Sequence, residues 1–242
     1  MRDGAGGARL ESPRNKGGTV SATNTVVAID GPAGSGKSSV ARAAARELGF
    51  QFLDTGAAYR SLAWLVLDRG TDPGTREHVL AALERFDYDI TLESGSQRVM
   101  LNGLDVTGQI RTEQISHAAS QVAVLPEVRS TVNEIFRRLI ATAQPGIVVE
   151  GRDITTVVAP DADVRILLTA SDEVRADRRA AQLGESAEDV LRQMRDRDAR
   201  DSGNSDFSEP GEGVALVDSS NLNFTQTVHA VVNLVHGRAP RR

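Results

Sequence analysis

Gly31-Pro32-Ala33-Gly34-Ser35-Gly36-Lys37-Ser38 follows the apolar run Thr25-Val26-Val27-Ala28-Ile29-Asp30 and leads into Val40-Ala41-Arg42-Ala43-Ala44-Ala45-Arg46-Glu47-Leu48. That order reads as strand, glycine-rich turn, helix, with Gly31 and Gly36 bracketing four residues ahead of Lys-Ser. Backbone amides in such a turn point at phosphate oxygens, helped by the positive end of the helix that follows. Lys37 is then expected at the β- and γ-phosphates of a nucleoside triphosphate, and the Ser38 hydroxyl in the shell of a Mg²⁺ ion. The expected donor site therefore comprises Gly31, Pro32, Ala33, Gly34, Ser35, Gly36, Lys37, Ser38 and Ser39. A turn whose glycines served only to reach positive φ would need neither the strand before it nor the helix after it.

Around this loop the chain alternates between strands and helices. The apolar segments 26–29, 147–149, 164–168 and 214–217 lack clean alternation, as buried parallel strands do. A shorter strand is expected at Gln51-Phe52-Leu53. Val128, Val132, Ile135, Phe136, Leu139 and Ile140 draw one stripe down a helix that Pro145-Gly146 ends. Val228, Val231, Val232 and Val235 mark a closing helix. The fold class is α/β: a five-stranded parallel sheet covered by helices, with the loop at its carboxyl edge.

Composition narrows the chemistry. The 242 residues can bury a full core, and 40% apolar with 25% charged residues is ordinary for a globular enzyme. Without cysteine there is no disulfide framework, thiolate nucleophile or Cys-based zinc site. A net charge of −5 argues against general affinity for nucleic-acid backbones. Aromatic residues make up only 4%, so a nucleobase is expected to be held largely by polar contacts. Residues 1–24, rich in glycine and charge, read as a disordered leader without an export signal. The longest apolar runs are too short to span a bilayer, and a cytoplasmic location is the expectation.

Two departures from the alternating pattern suggest added parts. Residues 87–92 and 97–101 resemble a hairpin across Glu93-Ser94-Gly95-Ser96, within an inserted region at 61–108. Residues 172–203 are charged and helical, broken at Gly184, and read either as a solvated surface or as a lid that folds over phosphates. The core is then 25–60, 109–171 and 204–238.

Asp54-Thr55-Gly56-Ala57-Ala58-Tyr59-Arg60 leaves the carboxyl end of the second strand, where doubly wound sheets bind ligands. The Arg60 fork suits a phosphate, while Tyr59 also fits a half-buried helix position. Glu150-Gly151-Arg152-Asp153 repeats the logic after 147–149: Gly151 for close approach, Arg152 for phosphate, Asp153 for a sugar or base amino group. An Arg–Asp pair also serves as a structural salt bridge. Arg175, Arg178 and Arg179 share a helix face, followed by Arg192, Arg195, Arg197 and Arg200, with acidic residues interleaved. Any one of these arginines fits a surface network; the whole set beside a phosphate loop fits a clamp on transferring charge.

The four histidines (His78, His117, His229, His236) have no metal-ligand spacing, and no Ser-His-Asp arrangement is evident. Phosphoryl transfer to a nucleoside monophosphate needs little acid–base machinery. Its attacking oxygen is already ionised at neutral pH, the second phosphate pKa being about 6. Alignment and charge stabilisation then suffice. The alternatives are another small P-loop metabolite kinase and a non-catalytic nucleotide-binding regulatory module; a GTPase is disfavoured by the lack of an Asn-Lys-x-Asp element.

From Thr25 to Val235 the chain resembles the bacterial cytidylate kinases. The matching blocks are Ile29-Asp30-Gly31-Pro32-Ala33-Gly34-Ser35-Gly36-Lys37-Ser38, Leu53-Asp54-Thr55-Gly56-Ala57-Ala58-Tyr59-Arg60, Ile110-Arg111-Thr112, Ala118-Ala119-Ser120-Gln121-Val122-Ala123, Pro126-Glu127-Val128-Arg129 and Gly151-Arg152-Asp153-Ile154-Thr155-Thr156-Val157-Val158. The resemblance implies a P-loop nucleoside monophosphate kinase with an inserted monophosphate-binding region and a helical lid. The implied reaction is phosphoryl transfer from ATP, with Mg²⁺, to CMP or dCMP, by a monomer without nucleic-acid or membrane partners. It implies that Thr55, Tyr59, Arg60, Ser120, Arg129 and Asp153 surround the acceptor, with Ser120, Arg129 and Asp153 reading the base and Arg60 and Arg152 holding the phosphate. Arg178 is implied as the lid arginine and Arg197 with Asp201 as a phosphate and sugar contact; Lys37, Arg152, Arg178 and Arg197 are thus the expected catalytic set. One departure stands out: the family often has arginine three residues beyond Asp201, where this chain has Asn204.

Overall fold

A computed structural model describes residues 24–184, 186–201 and 209–237, with backbone only at 182, 183, 193 and 196–201. The leader expected at 1–24 therefore lies outside the described residues apart from Asn24, as does Asn204.

Five parallel strands form the main sheet: β1 (Thr25–Asp30), β2 (Gln51–Asp54), β6 (Gly146–Gly151), β7 (Val164–Thr169) and β8 (Ala215–Asp218), in the order β2-β6-β1-β7-β8. Register pairs Asp30 with Gly151 and Asp54 with Glu150, so three strands bring carboxylates to one edge. Alternate residues of β1, β2 and β6 feed two cores. Val27, Ile29, Phe52 and Val148 face α1 (Lys37–Leu48) and α8 (Phe224–His236). Ala28, Leu53, Ile147 and Val149 face α2 (Gly56–Asp68), α4 (Glu113–Val122) and α5 (Pro126–Thr142). Because both faces are covered, these strands read as continuous apolar runs.

Residues 61–108 do not stand apart from this core. The division expected at residue 60 falls inside α2, whose Leu62, Ala63 and Val66 are fully buried. Next comes α3 (Arg76–Leu83), a helix that the hairpin reading overlooked. The hairpin itself is present as β3 (Tyr88–Ile90) against β4 (Val99–Leu101), and β5 (Leu104–Asp105) adds a third antiparallel strand. Asn102 (φ 50°) and Gly103 (φ 78°) form the tight turn into β5, the Asn-Gly signal of a two-residue hairpin loop. This small sheet covers the edge of β2: the Phe52 amide donates to the Leu92 carbonyl at 2.8 Å, and Gln97 Nε2 donates to the Phe52 carbonyl at 3.3 Å. An otherwise open strand edge is thereby closed.

The charged segment forms two helices, α6 (Asp172–Leu183) and α7 (Ala187–Asp201), with Gly184 left-handed at the end of the first. It is not merely a solvated surface, because Ala180, Val190 and Met194 pack on Ala33 of the glycine-rich loop.

Candidate active site

The carboxyl edge of the sheet opens into one crevice of about 1260 Å³, lined by the glycine-rich loop on one side and by α2, α4 and the turn after β6 on the other. That exceeds the roughly 300–1,000 Å³ of a site for one small ligand.

Residues 33–39 of the loop line this space, whereas Gly31 and Pro32 are buried behind it. Gly31 is glycine for a packing reason: a Cβ there would come within 2.2 Å of the Leu168 carbonyl oxygen. Lys37 Nζ donates to the Pro32 carbonyl at 3.3 Å, folding its ammonium back over the loop. Ser38 Oγ donates to Glu150 Oε1 at 2.7 Å.

Opposite the loop, Arg60 donates to Asp54 Oδ2 at 2.7 Å, and the Ala57 amide donates to Asp54 Oδ1 at 3.2 Å. Burial pushes the Asp54 carboxyl up, but the charge and hydrogen bond of Arg60, with Arg111 behind them, hold it below the usual carboxylate range. Glu150 sits beside it, and among the described residues no guanidinium forms an ion pair with it. Burial and the Asp54 charge raise it to about 7, against the pull of Lys37 and Ser38. Sequence reasoning quoted Glu150 and Arg111 but assigned neither a role. The signal was available for Glu150, as a carboxylate at the carboxyl end of a central strand.

Gly151 earns its place differently from expectation. The close approach is made by the protein itself, since a Cβ would meet Thr55 Oγ1 at 2.4 Å and Ile154 Cδ1 at 2.6 Å. Thr55 is buried and donates to the Glu150 carbonyl at 2.8 Å. Arg152 reaches back toward the glycine-rich loop, its Nη1 3.4 Å from the Gly31 carbonyl. Asp153 forms an ion pair with Arg129 of α5, and Tyr59 and Ser120 line the crevice near them. Tyr59 lines the crevice, and its ring lies 6.3 Å from that of Phe136. Burial first, then the Asp153 charge, raises the Tyr59 phenol.

The arginines of the helical hairpin divide. Arg178 and Arg179 line the crevice. Arg178 spans to the loop after β8, donating to Ser219 Oγ at 3.0 Å and to the Ser219 and Leu222 carbonyls at 2.8 and 3.3 Å. Arg175 is buried and holds the glycine-rich loop, donating to the Ala33 carbonyl at 2.7 Å and to Asp172 at 2.5 Å. Arg192 and Arg195 pair with Asp189 and Asp172 at the surface. The side chains of Arg197, Arg200 and Asp201 lie outside the described residues. Among the lining residues not foreseen is Phe224, at the start of α8 and about half exposed, which adds an aromatic ring to the crevice wall.

Known proteins resemble this chain over most of its length. The model of the cytidylate kinase family matches residues 27–237. The cytidylate kinase of Cutibacterium acnes is 43% identical over 219 residues, covering 89% of this chain and 98% of the relative. That of Mycobacterium leprae is 42% identical over 225 residues, covering 90% and 98%. A crystal structure of an uncharacterized protein from Eubacterium ventriosum aligns with a TM-score of 0.50 at 11% identity, over 89% of this chain and all of that one, a likeness of fold alone. With the loop, the paired carboxylates and the Arg129–Asp153 pair in one crevice and a family match spanning nearly all the described residues, the chain belongs to the cytidylate kinase family.

Proposed function

We infer that this enzyme transfers the γ-phosphoryl group of ATP to CMP or dCMP, giving ADP and CDP or dCDP. The observation that carries the reading is the single crevice in which a triphosphate loop faces a guanidinium clamp and an Arg–Asp pair suited to a base. ATP lies along residues 33–39, with Lys37 on its β- and γ-phosphates. Arg60 and Arg152 hold the acceptor phosphate, and Thr55 and Tyr59 shape its pocket. Arg129 donates to the cytosine carbonyl, Asp153 accepts from the exocyclic amine, and Ser120 supports them. Uracil presents a carbonyl where cytosine has that amine, so Asp153 disfavours it.

The acceptor phosphate attacks as an ionised oxygen, so no general base is needed and the side chains act by alignment and by spreading charge. Arg178, with Arg175 and Arg179 supporting it, closes over the transferring group and keeps water away, and Arg197 and Asp201 reach phosphate and sugar. Ser38 and Glu150 stand side by side as hard oxygen donors of the kind Mg²⁺ takes, and they are the residues that would hold it. Bound there, the ion would offset the negative charge of the phosphates. A monomeric, cytoplasmic enzyme acting on free nucleotides goes with this reading. Among the described residues no helix is long and apolar enough to cross a membrane.

A coupled ADP-release assay tests the function. ADP formation should depend on added CMP or dCMP, be weaker with UMP and be absent with AMP. Turnover of shikimate or gluconate without CMP activity would contradict it. Lys37→Ala should lower the CMP-dependent rate at least about a hundredfold with the fold intact.

A further inference from the structure

Asp30 ends β1 and runs directly into the donor loop, yet its side chain serves the acceptor side. It is buried, and its carboxylate accepts from the Ile154 amide at 2.7 Å, the Thr155 amide at 2.8 Å and the Thr155 hydroxyl at 2.6 Å. Those donors open a short π-helix at Ile154–Val158, and the residue preceding that helix is Asp153. An aspartate in that position ordinarily caps its own helix through its side chain. Asp153 makes no such bond; its carboxylate pairs with Arg129 instead. Its backbone, at φ −141° and ψ 32°, is neither helical nor extended, so where its side chain points depends on how the next residues are held. The contact from Arg152 to the Gly31 carbonyl is a second tie between the same two segments.

We propose that Asp30 is a positioning residue for acceptor recognition: by capping the 154–158 helix from the neighbouring strand, it frees the Asp153 carboxylate to face the acceptor base and sets its position relative to the donor loop. This rests on the reading that Asp153 recognises that base. Because Asp30 adjoins Gly31, the same residue fixes the root of the loop that holds ATP and the group that orients CMP. When the cap is weakened, Asp153 is drawn toward the unsatisfied amides of Ile154 and Thr155, and the base loses its partner.

Thr155→Val removes the hydroxyl donor while leaving both amides, and Asp30→Asn replaces one accepting oxygen by a donor. In each, kcat/KM for CMP should fall about tenfold and the CMP/UMP ratio in kcat/KM should shrink. The KM for ATP in Thr155→Val should stay within about twofold of wild type, and Thr155→Ser should restore the ratio. The double variant should be no worse than the worse single one, because both changes break the same contact. A lowered Tm with an unchanged CMP/UMP ratio in both single variants would overturn the proposal, as would additive losses in the double variant. Asp153→Ala is the control that separates the two claims. If it shifts the ratio while the Asp30 and Thr155 variants do not, only the positioning role falls. If it leaves the ratio unmoved, base reading by Asp153 falls, and the role of Asp30 with it.

Discussion

Glu150 shows what a single residue owes to its neighbours in space. In sequence it is a carboxylate closing an apolar strand; in the structure it is paired across the sheet with Asp54, itself held charged by Arg60. Burial and the Asp54 charge raise the Glu150 carboxyl from an ordinary 4.5 to about 7, against the pull of Lys37, Ser38 and Arg60. Between those two values the folded protein binds a proton that the unfolded chain has released. The contribution of Glu150 is therefore full below pH 4.5 and lost as pH rises through about 7. Glu150→Gln should remove that loss, so the Tm of the variant relative to wild type should climb between pH 5 and pH 8. A difference that stays flat over that range would mean the carboxyl is not held up. Sequence alone could not supply this, because the Asp54–Glu150 register joins segments almost a hundred residues apart.

At the scale of elements, the helical hairpin α6–α7 shows where periodicity stops being informative. Spacing places Arg175, Arg178 and Arg179 on one helix face, but the acidic residues between them serve a lid and a surface network equally well. Packing decides it residue by residue. Arg175 is buried against the loop, Arg178 reaches the turn after β8, and Arg192 stays in solvent beside Asp189. Arg175→Ala should therefore cost about 2 kcal/mol in urea unfolding, since a charged donor is taken from a buried carbonyl. Arg192→Ala should stay within about 0.5 kcal/mol of wild type, as exposed ion pairs do. Equal losses would contradict the division. The small sheet of the insertion carries a similar lesson. Its hairpin was legible from 87–101, but the reading passed over the Asn102-Gly103 turn, and β5 is only two residues long and leaves no periodicity of its own.

For the whole molecule, the parallel sheet was the most legible feature, because strands covered on both faces must be apolar throughout and helices must alternate with them. The glycine-rich loop was legible for a related reason: the phosphate contacts proposed for it are local, assigned to backbone amides and to Lys37 and Ser38 within one turn. The acceptor side was legible only in part. Arg60, Arg129 and Asp153 come from three separate segments, and topology brings them to one crevice, which their spacing in sequence does not reveal. The same topology puts donor and acceptor sites in one crevice, and the central claim is that phosphate passes directly between them. Incubating the enzyme with CMP and ATP labelled in its γ-phosphate tests this most directly. The label should be recovered in the β-phosphate of CDP, with little released as inorganic phosphate; label appearing mainly as inorganic phosphate, at a rate indifferent to CMP, would contradict it.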